Sequence, residues 1–148
     1  MSELWGRDVR LLSNLLSQND RNRGSDLSTN QRSSLDRGID LEVLIGQDNL
    51  EQALLLRFMT PVGELSVLGH PNYGSRLFEL IGERNIEANR NKAKLFVLQA
   101  LGDEPRVKEI LKVNVTQNRA VPTLMNIDIW LKPIDSVKPL NLVFPFSV

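Results

Sequence analysis

Glu64, Glu79, Glu83 and Glu104 are the side chains from which acid–base chemistry would have to be built. Two carboxyls facing each other across a cleft suffice to cleave a glycosidic bond. Such a pair leaves no mark in sequence, and any polar chain offers as many acids. The single histidine, His70, stands between Gly69 and Pro71 in a turn-rich stretch, with no Gly-x-Ser-x-Gly elbow to supply a nucleophile. One imidazole and no cysteine would leave a zinc ion almost nothing but carboxylates. The glycines are scattered as punctuation, so no phosphate-cradling loop is present. The sequence therefore assigns no catalytic, cofactor-binding or metal-binding residue.

Arg90, Lys92 and Lys94 form a basic cluster that phosphates would attract. Aromatics are only 5% of the chain and do not interleave with the bases, so a stacking platform is absent and a solvated helix face is the reading. The 18 basic residues are balanced by 18 acidic ones, which argues against nucleic acid or anionic lipid as the main partner. A neutral chain also repels itself little, which favours association with other proteins.

One stretch keeps unexplained chemistry: "ALGDEPRV", Ala100 to Val107, where a helix pattern gives way to a strand pattern. Gly102 suits a left-handed cap and Pro105 forbids helix continuation. Glu104 and Arg106 are surplus to a hinge. They can pair with each other, orient neighbouring backbone, or offer a planar guanidinium to a partner. The local structural role is the generic one.

The elements that position this hinge follow from periodicity. At Met1–Gln18, Leu4, Trp5, Val9, Leu12 and Leu16 predict an amphipathic helix, although Asp8 falls inside its apolar stripe. That face either packs on the protein's own core or docks on a partner. Ser17–Gly38 is polar and reads as a linker, or as a segment that orders on binding. The domains are thus residues 1–38, a helix and linker, and residues 39–148, a compact domain.

In that domain, Ile39–Ile45 predicts a strand. Asp48 with Glu51 resembles a capping box opening a helix to Met59, which Thr60-Pro61 stops. A short strand over Gly63–Leu68 and a short helix over Arg76–Ile81 follow. Asn85 can cap a longer helix to Leu101 with Ile86, Ala93, Val97 and Ala100 on its stripe.

After the hinge the period is two. Val107, Leu111, Val113 and Val115 share one face of a strand, with a bulge near Glu109 and Ile110. Met125, Ile127, Ile129 and Leu131 share a face of the next, antiparallel to the first because their connection is too short for a crossover. Leu140, Leu142, Phe144, Phe146 and Val148 alternate to the last residue. Pro145 places that strand at a sheet edge or bulge. The fold expected is α+β: helices packed on a small antiparallel sheet, with a C-terminal edge strand and an N-terminal helical extension.

No apolar run approaches the roughly 20 residues that span a bilayer, so no membrane insertion is expected. Glu3, Arg7, Asp8 and Arg10 interrupt any secretory core, which makes cytoplasmic synthesis the default.

The order of signals "DLEVLIGQDNLEQALLLRFMTPVGEL", "GHPNYGSRLFELIGE" and a helix ending in "EPRV" before a valine-rich hairpin resembles the W-like family of baseplate wedge proteins. These belong to contractile phage tails and are also called sheath initiators. Relatives occur in extracellular contractile injection systems and type VI secretion. The likeness runs from about Asp40 to Leu131.

The resemblance implies a non-enzymatic assembly component, made in the bacterial cytoplasm and built into a baseplate. By position, Glu104, Pro105 and Arg106 would contact the wedge core, and the strand bearing Leu140, Leu142, Phe144 and Phe146 would template the first sheath ring. The partners implied are sheath and wedge proteins. Leu4, Trp5, Val9, Leu12 and Leu16 are expected to dock on a baseplate, tube-side or hub neighbour. Thr60-Pro61-x-Gly63-Glu64 and His70-Pro71-x-Tyr73-Gly74 are expected to serve the fold, with Tyr73 packed between elements. The alternative is a baseplate-associated, carboxylate-dependent muramidase. A nucleic-acid adaptor, a third class, is disfavoured by the neutral charge.

Overall fold

The computed structural model describes residues 7–11, 29–31, 39–41 and 43–148. In chain order the elements are β1 (Arg7–Val9), β2 (Thr29–Gln31), β3 (Ile39–Leu41), β4 (Val43–Ile45), α1 (Gln47–Met59), α2 (Glu87–Gly102), β5 (Val107–Gln117), β6 (Leu124–Pro133) and β7 (Leu140–Ser147). The chain forms two compact units, Met1–Gln52 and Ala53–Val148, with the division falling inside α1.

In the N-terminal unit β1 pairs antiparallel with β4, Val9 opposite Val43, and β2 pairs antiparallel with β3, Thr29 opposite Leu41. Residues 7–9 are therefore extended, which corrects the helix expected over Met1–Gln18 at these positions; 1–6 and 12–18 lie outside the described residues. Asp8 supplies a physical reason: its Oδ1 accepts the Val9 N–H at 2.8 Å, a local bond that competes with helix formation. The Gln52 amide secures this strand's end, its Nε2 donating to Val9 O and its Oε1 accepting from Leu11 N–H, each at 2.9 Å. Val9 is half-buried; Leu4, Trp5, Leu12 and Leu16 lie outside the described residues.

Two further expectations change in this unit. Thr29–Gln31, inside the stretch read as a linker, belongs to a ladder, while the rest of 17–38 lies outside the described residues. The single strand expected over Ile39–Ile45 is two strands in separate ladders. Gly46, at φ 67°, accepts the Leu50 N–H at 3.2 Å and so opens α1. Asp48 sits within the first turn, where its charge meets the helix's positive end, instead of capping it.

The C-terminal unit is the α+β arrangement expected. Its sheet has the order β5-β6-β7, antiparallel throughout, so among the described residues β7 is an edge. Met125, Ile127, Ile129 and Leu131 of β6 and Leu140, Leu142 and Phe144 of β7 are buried on one face. The core is completed by Leu54 and Phe58 of α1 and by Ala93, Val97, Ala100 and Leu101 of α2. Each large side chain so buried contributes about 1.5–3 kcal/mol. Phe58 and Phe144 stack with centroids 5.2 Å apart and planes 11° from parallel. The opposite face is polar: Asn141 Nδ2 donates to Asp128 Oδ1 at 2.6 Å, and Trp130 stands 39% exposed.

Register shifts fall between Val107 and Glu109 and between Ile110 and Lys112, bracketing the expected bulge. The second shift turns Leu111 outward, so it does not share the face of Val113 as its spacing suggested. Gly63–Leu68 is no strand but a chain of turns closing in a 3-10 turn at Ser66–Leu68, where Ser66 N–H donates to Gly63 O at 3.1 Å. The helix expected over Arg76–Ile81 is a 3-10 turn, Leu77–Leu80. Asn85 does not cap α2: its Nδ2 donates to Pro122 O and Leu124 O, tying the start of α2 to the β5–β6 loop. Gly102 stays helical, and α2 ends through Asp103 and a tightened bond from Glu104 N–H to Leu101 O at 3.2 Å.

Candidate functional site

The hinge is built on a buried ion cluster. Glu104 lies two residues beyond the end of α2 with its side chain only 3% exposed, and a buried carboxylate must be matched by donors. Arg57 Nη2, from the last turn of α1, donates to Glu104 Oε2 at 3.1 Å. From the other side, Arg106 Nε donates to Oε1 at 2.7 Å, and the Arg106 backbone N–H reaches the same oxygen at 3.3 Å. Burial alone would raise the Glu104 carboxyl's pKa. The Arg106 hydrogen bond and charge, with the Arg57 charge, outweigh it and hold the group below the usual carboxylate range. Glu104 is thus an ionised anchor between two guanidiniums, and Pro105 between them is exposed.

Arg57 continues the network. Its guanidinium carbon lies 4.7 Å from the centroid of the Tyr73 ring, in a cation–π contact. Tyr73 is held by a clasp between the two turn motifs. Ser75 N–H donates to Thr60 O at 2.9 Å, Val62 N–H donates to Ser75 O at 3.0 Å, and the Ser75 hydroxyl donates to Phe58 O at 2.6 Å. Gly74, at φ 114°, makes the clasp possible, since a Cβ there would collide with the Thr60 carbonyl and meet the Pro61 carbonyl carbon at 2.9 Å. Tyr73, Arg57, Glu104 and Arg106 therefore join three separate sequence motifs in one continuous network.

Arg57 was not singled out by the sequence. A signal existed: Leu50, Leu54, Arg57 and Phe58 fall at helical spacing, so an arginine occupies a position on α1's apolar stripe. A charge there calls for a buried counter-charge, and the partner's identity is set by the fold.

Beside this cluster, a groove of about 250 Å³ opens where the Val62–Arg76 segment meets α2, lined by Val62, Asn72, Arg76, Phe96, Gln99 and Asp103 among others. Arg76 covers the Phe96 ring at 4.7 Å and pairs with Glu79 through two bonds of 3.0 Å. The acids considered for catalysis do not converge. Glu64 and Glu83 are solvent-exposed, Glu79 is paired with Arg76, and Glu104 is locked between arginines. His70 is exposed in its turn. Arg90 is bonded to Asn85 at the start of α2, while Lys92 and Lys94 face solvent. Among the described residues no three acids or histidines gather as a metal site, and no helix is long and apolar enough to cross a membrane.

The residues of the edge strand divide by face. Leu140, Leu142 and Phe144 are 6%, 5% and 2% exposed, so their side chains belong to the core and not to a partner. Phe146 is half-buried. What β7 presents outward is Asn141, Val143, Pro145 and Ser147.

No family model and no curated protein matches this chain. Among solved structures it is similar to a candidate tail lysozyme from Geobacter sulfurreducens, 22% identical, over 72% of this chain and 96% of that one. With a TM-score of 0.62, what the two chains share is the fold.

Proposed function

We propose that this chain is a non-enzymatic structural component of a contractile phage tail or related injection device, set in the baseplate. There it binds the wedge core through the hinge at Glu104, Pro105 and Arg106 and offers the sheath a template at β7. The observation that carries the reading is the placement of β7: an exposed strand at the sheet's edge, rigidly backed by its own core residues. Such an edge adds an extended strand through backbone bonds. The fold shared with a protein named a tail lysozyme supports the same setting.

At the hinge, Glu104 acts as the positioning residue. Buried itself, it fixes Arg106, whose side chain remains 19% exposed beside exposed Pro105. The wedge would read that presented surface. Co-expression with the wedge proteins encoded near its gene tests this: Arg106→Ala is expected to lose wedge capture while retaining sheath capture. Unchanged wedge capture by a folded Arg106→Ala protein overturns the hinge assignment.

The muramidase reading is favoured by the name its structural neighbour carries. Glu104 is unsuited to it, because a general acid needs a raised pKa and this carboxyl is held low. Clearing of a peptidoglycan suspension by the wild type, abolished by Glu64→Gln in a protein that keeps its unfolding midpoint, would establish that activity and displace the structural proposal.

A further inference from the structure

The hydrogen-bond phase of the sheet decides which backbone groups β7 offers outward. Opposed residues in an antiparallel ladder alternate between pairs that exchange N–H···O bonds and pairs that do not. Val148 N–H donates to Thr123 O at 3.0 Å, and the register continues unbroken from Ser147 opposite Leu124 to Leu140 opposite Leu131. The bonded positions of β7 are therefore the even-numbered ones, turned toward β6. The other side of β6 agrees: Asn118 N–H donates to Leu124 O at 2.9 Å, which commits even-numbered residues of β6 to β5 and leaves the odd ones for β7. Asn141, Val143, Pro145 and Ser147 thus direct their backbone groups away from the sheet, and all four are exposed. One residue before the strand, Pro139 falls in the same phase and is also exposed.

Proline has no N–H, and its ring occupies the direction that bond would take. Between Pro139 and Pro145 the outward edge contains two complete residues, Asn141 and Val143. We infer that β7 is a gated acceptor: it takes a short, extended, proline-free segment of a partner protein across Asn141–Val143, and its flanking prolines refuse a second copy of itself.

Antiparallel pairing of two copies that sets Asn141 against the other's Val143 also sets Pro139 against Pro145 at both ends. Sliding by two residues sets a proline against one of the complete residues. A proline-free partner strand meets neither conflict, and can also donate to the carbonyls of Pro139 and Pro145. Edge strands are commonly blunted by proline against indiscriminate pairing; here the blunting leaves a window. This rests on the proposed function and deepens it: the sheath strand accepted at β7 is proline-free where it faces Asn141 and Val143, and the same prolines keep the edge from pairing with itself.

Two substitutions test the gate without touching the buried face of β7. Pro145→Val restores an outward N–H, and Val143→Pro removes one from the window. In sedimentation the wild type is expected to remain monomeric and Pro145→Val to self-associate as concentration rises. A Pro145→Val protein as monomeric as wild type, or a wild type whose self-association is abolished by Val143→Pro, overturns the gate. In pull-downs with the sheath protein, Val143→Pro is expected to weaken capture at least about tenfold, a loss of roughly 1.4 kcal/mol, with its unfolding midpoint retained. Undiminished capture overturns the window. If wild type captures no sheath protein, the proposed function fails and the sedimentation comparison alone judges the gate.

Discussion

Glu104 shows how one acid can serve a contact without touching it. Its carboxylate is held by Arg57 and Arg106, and its folded pKa lies below the unfolded value of 4.5. A depressed carboxylate pKa stabilises the fold fully above the unfolded value, and that stability is lost as pH falls through the folded one. Urea unfolding followed from neutral pH downward should therefore show a loss beginning near pH 4.5 and continuing below it. Glu104→Gln should lack this part of the acid slope. At neutral pH it should already be less stable by about 3–5 kcal/mol, because buried Arg57 and half-buried Arg106 lose their counter-charge. An acid slope identical in the two proteins would mean that the cluster does not set the pH response.

At the scale of elements, the clasp between Thr60-Pro61 and Tyr73-Gly74-Ser75 fixes the segment that carries Tyr73 to Arg57. Gly74→Ala would add a Cβ against the Thr60 carbonyl at a positive φ, so a loss of about 1–3 kcal/mol is expected by thermal or urea unfolding. Full stability in Gly74→Ala would show that the clasp can relax. The elements that were legible in the sequence are those with long local patterns. β6 and β7 alternate over eight or more residues, and their faces are as expected. α2 is legible through Ala93, Val97 and Ala100. Gly63–Leu68 misled because alternation over so few residues cannot specify a partner strand, and Val67 and Leu68 project into solvent at 93% and 71% exposure. The helix at Met1–Gln18 failed at residues 7–9, where Asp8 bonds its own backbone. The hinge was legible as surplus charge, but its burial was not: Glu104 meets Arg57 only because the chain returns α1 beside the end of α2.

In the C-terminal unit the Phe58–Phe144 stack joins α1 to β7. Phe144→Ala should cost about 3–5 kcal/mol and lower the urea midpoint, since it removes a buried ring and leaves a cavity. A cost near zero would mean that the core closes around the gap. This also separates two uses of β7 that truncation would confuse. Deleting the strand would remove core residues together with the edge, whereas substitutions at Val143 or Pro145 alter the edge alone.

The same stack has a kinetic side. The β5–β6 hairpin closes a short loop, but Phe58 and Phe144 are far apart in sequence, so their contact is slow to be reached in folding. β7 reaches β6 across a connection as short as that of the hairpin, so the docking of α1 onto β7 through the two rings is the step expected to come late. A strand bound along the edge of β7 holds the native state and not the unfolded one, so it stabilises the unit by mass action. The partner would then act as a clamp on the fold's slowest joint, and an assembled copy would outlast a free one.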